Sequence, residues 1–207
     1  MEDGINALFI KYFFRCGNML EELQKSLENA PIVKKGDYNY FVHPVSDGIP
    51  AVEPSLLIEI ADALIDKVNF DNIDKIVAIE AMGIHLATAL SIKTNIPFVV
   101  IRKRQYGLPG ERKVHQKTGY GESNLFINDL TEGENILLID DVVSTGGTFI
   151  ATINTLKDMK INVDTAVAVI EKGQGKKIVE NAIGMPILTL VKLDVIDGKV
   201  VIESLNE

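Results

Sequence analysis

The sequence predicts an α/β fold with a mainly parallel sheet flanked by helices and topped by a small hood. Three observations carry that expectation. Short apolar runs recur at residues 76–79, 98–101, 136–139 and 166–170, each of a length that suits a buried strand. Most are separated by stretches with apolar residues at helical spacing, and strands alternating with helices form βαβ units whose sheets are parallel and covered on both faces. The length, 207 residues, fits one domain able to bury a sizeable core.

The elements follow in order. Residues 1–18 stand apart: Phe9, Ile10, Phe13 and Phe14 are apolar, but Glu2 and Asp3 open the segment and Lys11 and Arg15 interrupt it, which is not a secretory signal. We read 1–18 as an N-terminal extension and 19–207 as a single domain, and expect deletion of the extension to leave activity intact. The domain opens on a helix marked by Leu20, Leu23 and Leu27. Residues 39–42 suit a strand, and residues 43–54 form a connection holding three of the seven prolines. Pro54 fits the first turn of a helix, which Leu56, Leu57, Ile60, Leu64, Ile65 and Val68 carry forward. A strand at 75–79, a helix at 84–93 and a strand at 98–101 come next. Residues 102–123 are charged and Gly-rich with no convincing period, so they are expected to form a long functional loop. A strand at 136–140, a helix at 148–159, a strand at 165–170, a helix at 176–183 and strands at 187–193 and 200–202 complete the chain.

Composition narrows the function. Lys and Arg number 21 against 29 Asp and Glu, a net charge of −8. An acidic chain is a poor partner for polyanions, so neither nucleic acid nor a membrane surface is expected. No apolar run approaches the roughly 18 residues of a membrane span, and a cytoplasmic protein is expected. The single cysteine, Cys16, excludes an intrachain disulfide and a cysteine-built zinc site. His43, His85 and His115 show no ligand spacing; only His115, in the long loop, is worth testing.

Residues 136–148 are the most informative. Ile136, Leu137, Leu138 and Ile139 run into the adjacent acids Asp140 and Asp141, and Ser144, Thr145, Gly146, Gly147 and Thr148 lead into a helix. Backbone N–H groups and hydroxyls at a helix start make a phosphate site that needs no cationic side chain. Two glycines allow the turn and a close approach. Two carboxylates nearby suit vicinal hydroxyls or a hydrated Mg²⁺. Phosphate beside a diol describes a ribose 5-phosphate. A cap plus a tight turn is the plain alternative. The string is neither a Walker loop nor a dinucleotide fingerprint.

These residues resemble the phosphoribosyl pyrophosphate (PRPP) signature of type I phosphoribosyltransferases. The likeness extends over most of the chain from residue 19 onward, most in the form of the archaeal-type hypoxanthine/guanine enzymes. It implies transfer of ribose 5-phosphate from PRPP to a 6-oxopurine, with Mg²⁺, by a homodimer. By the same resemblance Asp140 and Asp141 hold the ribose hydroxyls and, through water, Mg²⁺, and Ser144, Thr145, Gly146, Gly147 and Thr148 hold the 5-phosphate. Glu80, Ala81, Met82 and Gly83 resemble the diphosphate loop, which commonly carries a non-proline cis peptide; Ala81–Met82 is the candidate bond. Arg102, Lys103 and Arg104, with Arg112, Lys113 and Lys117, place six cations within sixteen residues and read as a diphosphate clamp. Arg102 joins the acid pair as a catalytic candidate. Lys172 matches a lysine that contacts the 6-oxygen of oxopurines, with Val142 also at the base.

Departures from the family bear on the base. The adenine enzymes usually carry Arg where Met82 stands and Glu where Gly119 precedes Tyr120. Ser144 replaces an Asp thought to handle the purine N7 proton in better-studied 6-oxopurine enzymes, so the proton acceptor stays open. An adenine or xanthine phosphoribosyltransferase is the near alternative. A non-catalytic PRPP-sensing regulator is the distant one, disfavoured by the acidic charge and the lack of room for a nucleic-acid-binding domain in 1–18.

Overall fold

The computed structural model describes residues 20–35, 38–118 and 121–206. The 1–18 extension lies outside them. Helix α1 (Glu21–Glu28) turns Leu23 and Leu27 inward, with Leu20 buried just ahead. Strands β1 (Ile32–Lys35) and β2 (Tyr38–Phe41) form an antiparallel hairpin beside the main sheet. Only β2 is expected from the sequence, because β1 is four residues ending in two lysines and gives no periodic signal. The Pro-rich connection holds a single turn, α2 (Pro44–Asp47), capped by the His43 ring. Helix α3 (Pro54–Lys67) starts on Pro54 as expected and buries Leu56, Ile60 and Leu64.

Strand β3 (Lys75–Ile79), helix α4 (Gly83–Thr94) and strand β4 (Phe98–Ile101) follow within a residue or two of their expected places. Strands β5 (Arg112–Thr118) and β6 (Gly121–Ile127) then form a hairpin where the sequence suggests an irregular loop. The cause is plain in the burial. Val114 and Leu125 turn inward while Lys113 and His115 turn to solvent, but so many of the inward and outward positions are polar that the two-residue period is masked. The chain continues through β7 (Asn135–Val143), α5 (Gly147–Asp158), β8 (Asn162–Lys172), α6 (Gly175–Ile183), β9 (Ile187–Ile196) and β10 (Lys199–Leu205).

Six strands make one sheet in the order β4-β3-β7-β8-β9-β10, parallel throughout except for the antiparallel edge strand β10. Alternate residues serve two cores, as a sheet covered on both faces requires. Ile76, Ala78, Leu137 and Ile139 join Leu23, Ile60, Leu64, Leu86 and Leu90 of α1, α3 and α4 on one face. Val77, Ile79, Ile136 and Leu138 join Phe149, Ile153 and Leu156 of α5 and Val114 and Leu125 of the hairpin on the other. The order reverses at β3: the chain leaves it outward to β4, then returns to lay β7 on its other side. In open parallel sheets, the crevice beyond the carboxyl ends at such a reversal is where ligands sit.

Candidate active site

Strands β3 and β7 run side by side with Ala78 opposite Ile139, so their carboxyl ends open together. After β3 the chain turns through Glu80, Ala81 and Met82 into α4. The cis peptide lies at Glu80–Ala81, one bond earlier than the expected Ala81–Met82. The side chain of Glu80 anchors this point, since its Oε2 accepts from Lys103 N at 2.8 Å and lies 3.1 Å from Arg102 Nε. Gly83 is required by a close approach: a Cβ there would sit 2.7 Å from the Ile139 carbonyl oxygen, clashing with the neighbouring strand.

Strand β7 ends in the acid pair. Asp140 is nearly buried, and the Asp141 N–H donates to its Oδ1 at 3.0 Å. Burial pushes both carboxyls above the usual carboxylate range, with the adjacent Asp141 raising Asp140 further. Beyond them Gly146 takes a left-handed φ of 76°, and a Cβ on it would approach Val179 Cγ2 to 2.6 Å. Gly147 is the first residue of α5 and, unlike Gly146, does not take a left-handed backbone. The turn leaves the α5 N–H groups facing the crevice, where the helix dipole favours an anion.

Two cavities meet at this junction. One, of about 210 Å³, is lined by Asp140, Asp141, Val142, the Ser144-to-Thr148 turn and Lys172, and by Tyr40, Phe41 and Ser46 of the hood. The other, of about 350 Å³, is lined by Glu80, Ala81, Met82, Lys103, Asp140, Asp141 and Thr148, with Gln116 and Ser123 from the hairpin. Asp140, Asp141 and Thr148 belong to both, so they form one trough with a phosphate-binding turn, two acids and a cationic edge. Residues 52–189 match the phosphoribosyl transferase domain. The chain belongs to the phosphoribosyltransferase family.

Curated relatives of this phosphoribosyltransferase agree in name. A hypoxanthine/guanine phosphoribosyltransferase of Methanobrevibacter ruminantium is 60% identical over 90% of this chain and 100% of its own length. One of Methanothermus fervidus is 62% identical over 88% of this chain and 96% of its own. Among solved structures, adenine phosphoribosyltransferase from Thermoanaerobacter pseudethanolicus is similar with a TM-score of 0.69 and 23% identity, covering 84% of this chain and 99% of that one. The Trypanosoma brucei adenine enzyme gives a TM-score of 0.70 at 20% identity, over 86% of this chain and 81% of that one. At that identity the structures share the fold alone.

The sequence-derived residues of this phosphoribosyltransferase divide into groups. Asp140, Asp141, the turn residues, Val142, Lys172, Glu80, Ala81, Met82 and Lys103 all line the trough. Arg102 reaches its rim through Glu80. Arg104 instead lies with its guanidinium carbon 5.7 Å from the Tyr106 ring centre. Arg112 and Lys113 are exposed on β5; the side chain of Lys117 lies outside the described residues, as do Gly119 and Tyr120. His115 is on the solvent side of the hairpin, 3.2 Å from Asn124 Oδ1. The sequence reading missed Tyr40, Phe41, Ser46, Gln116 and Ser123. Tyr40 and Phe41 fall in an expected strand, but nothing local says that this strand overhangs the junction. Lys172 Nζ donates to Asn39 O at 3.0 Å, which ties the hood across the trough, while the Tyr40 hydroxyl donates to Asp47 Oδ1 at 2.7 Å within the hood.

Proposed function

We propose that this chain is a cytoplasmic purine-salvage enzyme that transfers ribose 5-phosphate from PRPP to hypoxanthine or guanine, giving IMP or GMP and pyrophosphate. The observation that carries the reading is the trough itself, in which a backbone phosphate cradle, an acid pair and a single buried ammonium converge. The turn from Ser144 through Gly146 and Gly147 to Thr148 holds the 5-phosphate with N–H donors and the α5 dipole. Asp140 and Asp141 accept from the ribose hydroxyls. Glu80, Ala81, Met82 and Gly83 form the floor under the diphosphate, and Lys103 and Arg102 stabilise its charge as it departs, with Arg104 next along the chain. Catalysis is then mainly positional and electrostatic.

Mg²⁺ fits the donor set. Among the described residues no three His, Cys, Asp or Glu side chains make a metal cage, but Mg²⁺ in phosphate chemistry commonly takes one or two carboxylates, waters and substrate oxygens. Asp140 and Asp141 would hold it, and it would neutralise the charge of the diphosphate leaving group.

The base lies between Phe41, Tyr40, Val142 and Lys172 in this reading. Lys172 carries donor protons and no acceptor, which matches a 6-oxo group and opposes the 6-amino group of adenine. The names of the curated relatives support the same base class. Residues 19–207 act as the catalytic domain. A homodimer is supported by a groove of about 660 Å³ between α3 and α4, lined by Leu57, Ile58, Ile84, Ala89 and Ile92. Pyrophosphate release from PRPP, measured with hypoxanthine, guanine, xanthine and adenine in turn, tests the proposal. Release with the first two is expected, and release with adenine alone would overturn it.

A further inference from the structure

The Ser144-to-Thr148 turn rests on helix α6. Gly175, the first residue of α6, is buried, and its backbone is not left-handed. Dihedral freedom therefore does not call for a glycine there, but close contact does. A Cβ at this position would lie 2.4 Å from Val143 O and 2.5 Å from Ser144 O. Both are backbone atoms at the entry to the turn, and neither can swing aside as the end of a flexible side chain could. Two residues along, a Cβ on Gly146 would lie 2.6 Å from Cγ2 of Val179, which is fully buried one turn further along α6. The helix meets the turn at two points. It has little freedom to retreat, since only Gly173 and Gln174 separate it from β8 and Gly173 N donates to Leu193 O of β9 at 3.1 Å.

We infer that α6 sets the shape of the phosphate turn, with Gly175 and Val179 as positioning residues for the 5-phosphate. This rests on the reading above, that the turn holds that phosphate. A peptide unit is planar, so whatever rotates a carbonyl rotates the N–H of the next residue with it. The carbonyls of Val143 and Ser144 share their peptide units with the N–H groups of Ser144 and Thr145, two residues that line the cavity. Pressure on those carbonyls redirects those N–H groups, and a misaligned hydrogen bond weakens steeply. The turn itself carries no cationic side chain to compensate, so its hold on an anion depends on the aim of its backbone dipoles. The diphosphate side of the trough is built on other elements, the turn after β3 and Lys103. A fault at Gly175 should therefore show in one half of the substrate and not in the other.

The test compares the full chain with its Gly175→Ala variant by calorimetric titration, first with ribose 5-phosphate and separately with inorganic pyrophosphate and Mg²⁺. Affinity for ribose 5-phosphate is expected to fall about ten-fold or more, the loss of one hydrogen bond to a charged group. Affinity for pyrophosphate should hold, and the KM for PRPP should rise. Gly184→Ala controls for stability. Gly184 caps the far end of the same helix at a φ of 71°, where a side chain is strained, yet a Cβ there meets no atom within 4 Å. That variant should melt lower and bind ribose 5-phosphate as wild type does. Should Gly175→Ala not fold, Val179→Ala removes the second contact and is expected to weaken ribose 5-phosphate binding about three-fold, a partial loss of the same bond, again with pyrophosphate unaffected. Unchanged ribose 5-phosphate affinity in the folded variant, or an equal loss for pyrophosphate or in Gly184→Ala, would overturn the inference. A wild type that does not bind ribose 5-phosphate would overturn the reading of the turn as well, so the two failures are distinguishable.

Discussion

At the acid pair, stability and function are opposed, and the sign of the opposition can be worked out. In the unfolded chain both aspartates ionise near the ordinary carboxylate range, about 3.9. In the folded protein burial raises both, so the native state holds more protons between that range and the raised values. Stability from these groups is therefore full at low pH and lost as pH rises through the folded titration. Replacing Asp140 and Asp141 together with Asn removes the buried charge. The double variant is expected to melt higher than wild type at pH 8, with the gap narrowing at pH 5, while kcat/KM for PRPP drops about 10²-fold or more. Calorimetry at the two pH values and a pyrophosphate assay check both halves; retained activity would remove the pair from the mechanism. Residues such as Asp140 and Thr148 were legible because strand, acids and turn are contiguous in sequence. Gln116 was not, because its partner Ser123 and the acid pair reach it only through folding. The anchoring of Glu80 was not legible either, since the side-chain contacts of Glu80 come from residues 102 and 103.

The elements around the hood depend on a histidine that the sequence made look inert. His43 is fully buried. Its Nδ1 accepts from Val45 N at 3.2 Å, which caps α2. The proton must then sit on Nε2, which faces Ser26 Oγ at 2.9 Å, while that hydroxyl donates to Leu23 O at 2.9 Å. One neutral ring thus joins α1 to α2, and α2 carries the Asp47 that receives Tyr40. Burial lowers the His43 pKa to about 4, against a smaller opposing effect of Asp47. The unfolded chain binds a proton near pH 6.5 and the native one resists it, so stability is present above that range and is lost as pH falls toward 4. The expected loss is on the order of 2–3 kcal/mol. Urea unfolding of wild type and His43→Asn at pH 7, 5.5 and 4.5 measures it, since Asn retains the cap without the titration. The wild-type advantage should shrink on acidification; a pH-independent gap would mean that the ring does not titrate. The hairpin β5–β6 teaches the complementary lesson. Its inward positions include Gln116 beside Val114, so a buried polar residue breaks the apolar alternation by which strands are recognised.

For the whole molecule, the parallel sheet and the location of the site were legible from four apolar runs and the alternation of elements, because a βαβ chain has few ways to cover both faces. The exposed apolar groove was not, since its residues lie on two helices and look like ordinary helix positions. Ile58 on α3 is 51% exposed and Ile92 on α4 is 78% exposed, and both line the apolar groove. Contiguous exposed apolar surface of this kind commonly marks an interface. Ala81 lines the same groove and also the floor of the trough, so a second copy seated there would press on the back of the diphosphate turn. Ile92→Lys tests the arrangement with little ambiguity, because changing so exposed a side chain should alter the stability of a lone subunit by no more than about 0.5 kcal/mol. Sedimentation of wild type is expected to show a dimer, and of the variant a monomer with its circular dichroism intact. The PRPP KM should rise in the variant, with less change in the KM for the base, since only the diphosphate side of the trough loses support. A monomeric wild type would exclude the interface, and a dimeric variant would move it to another face.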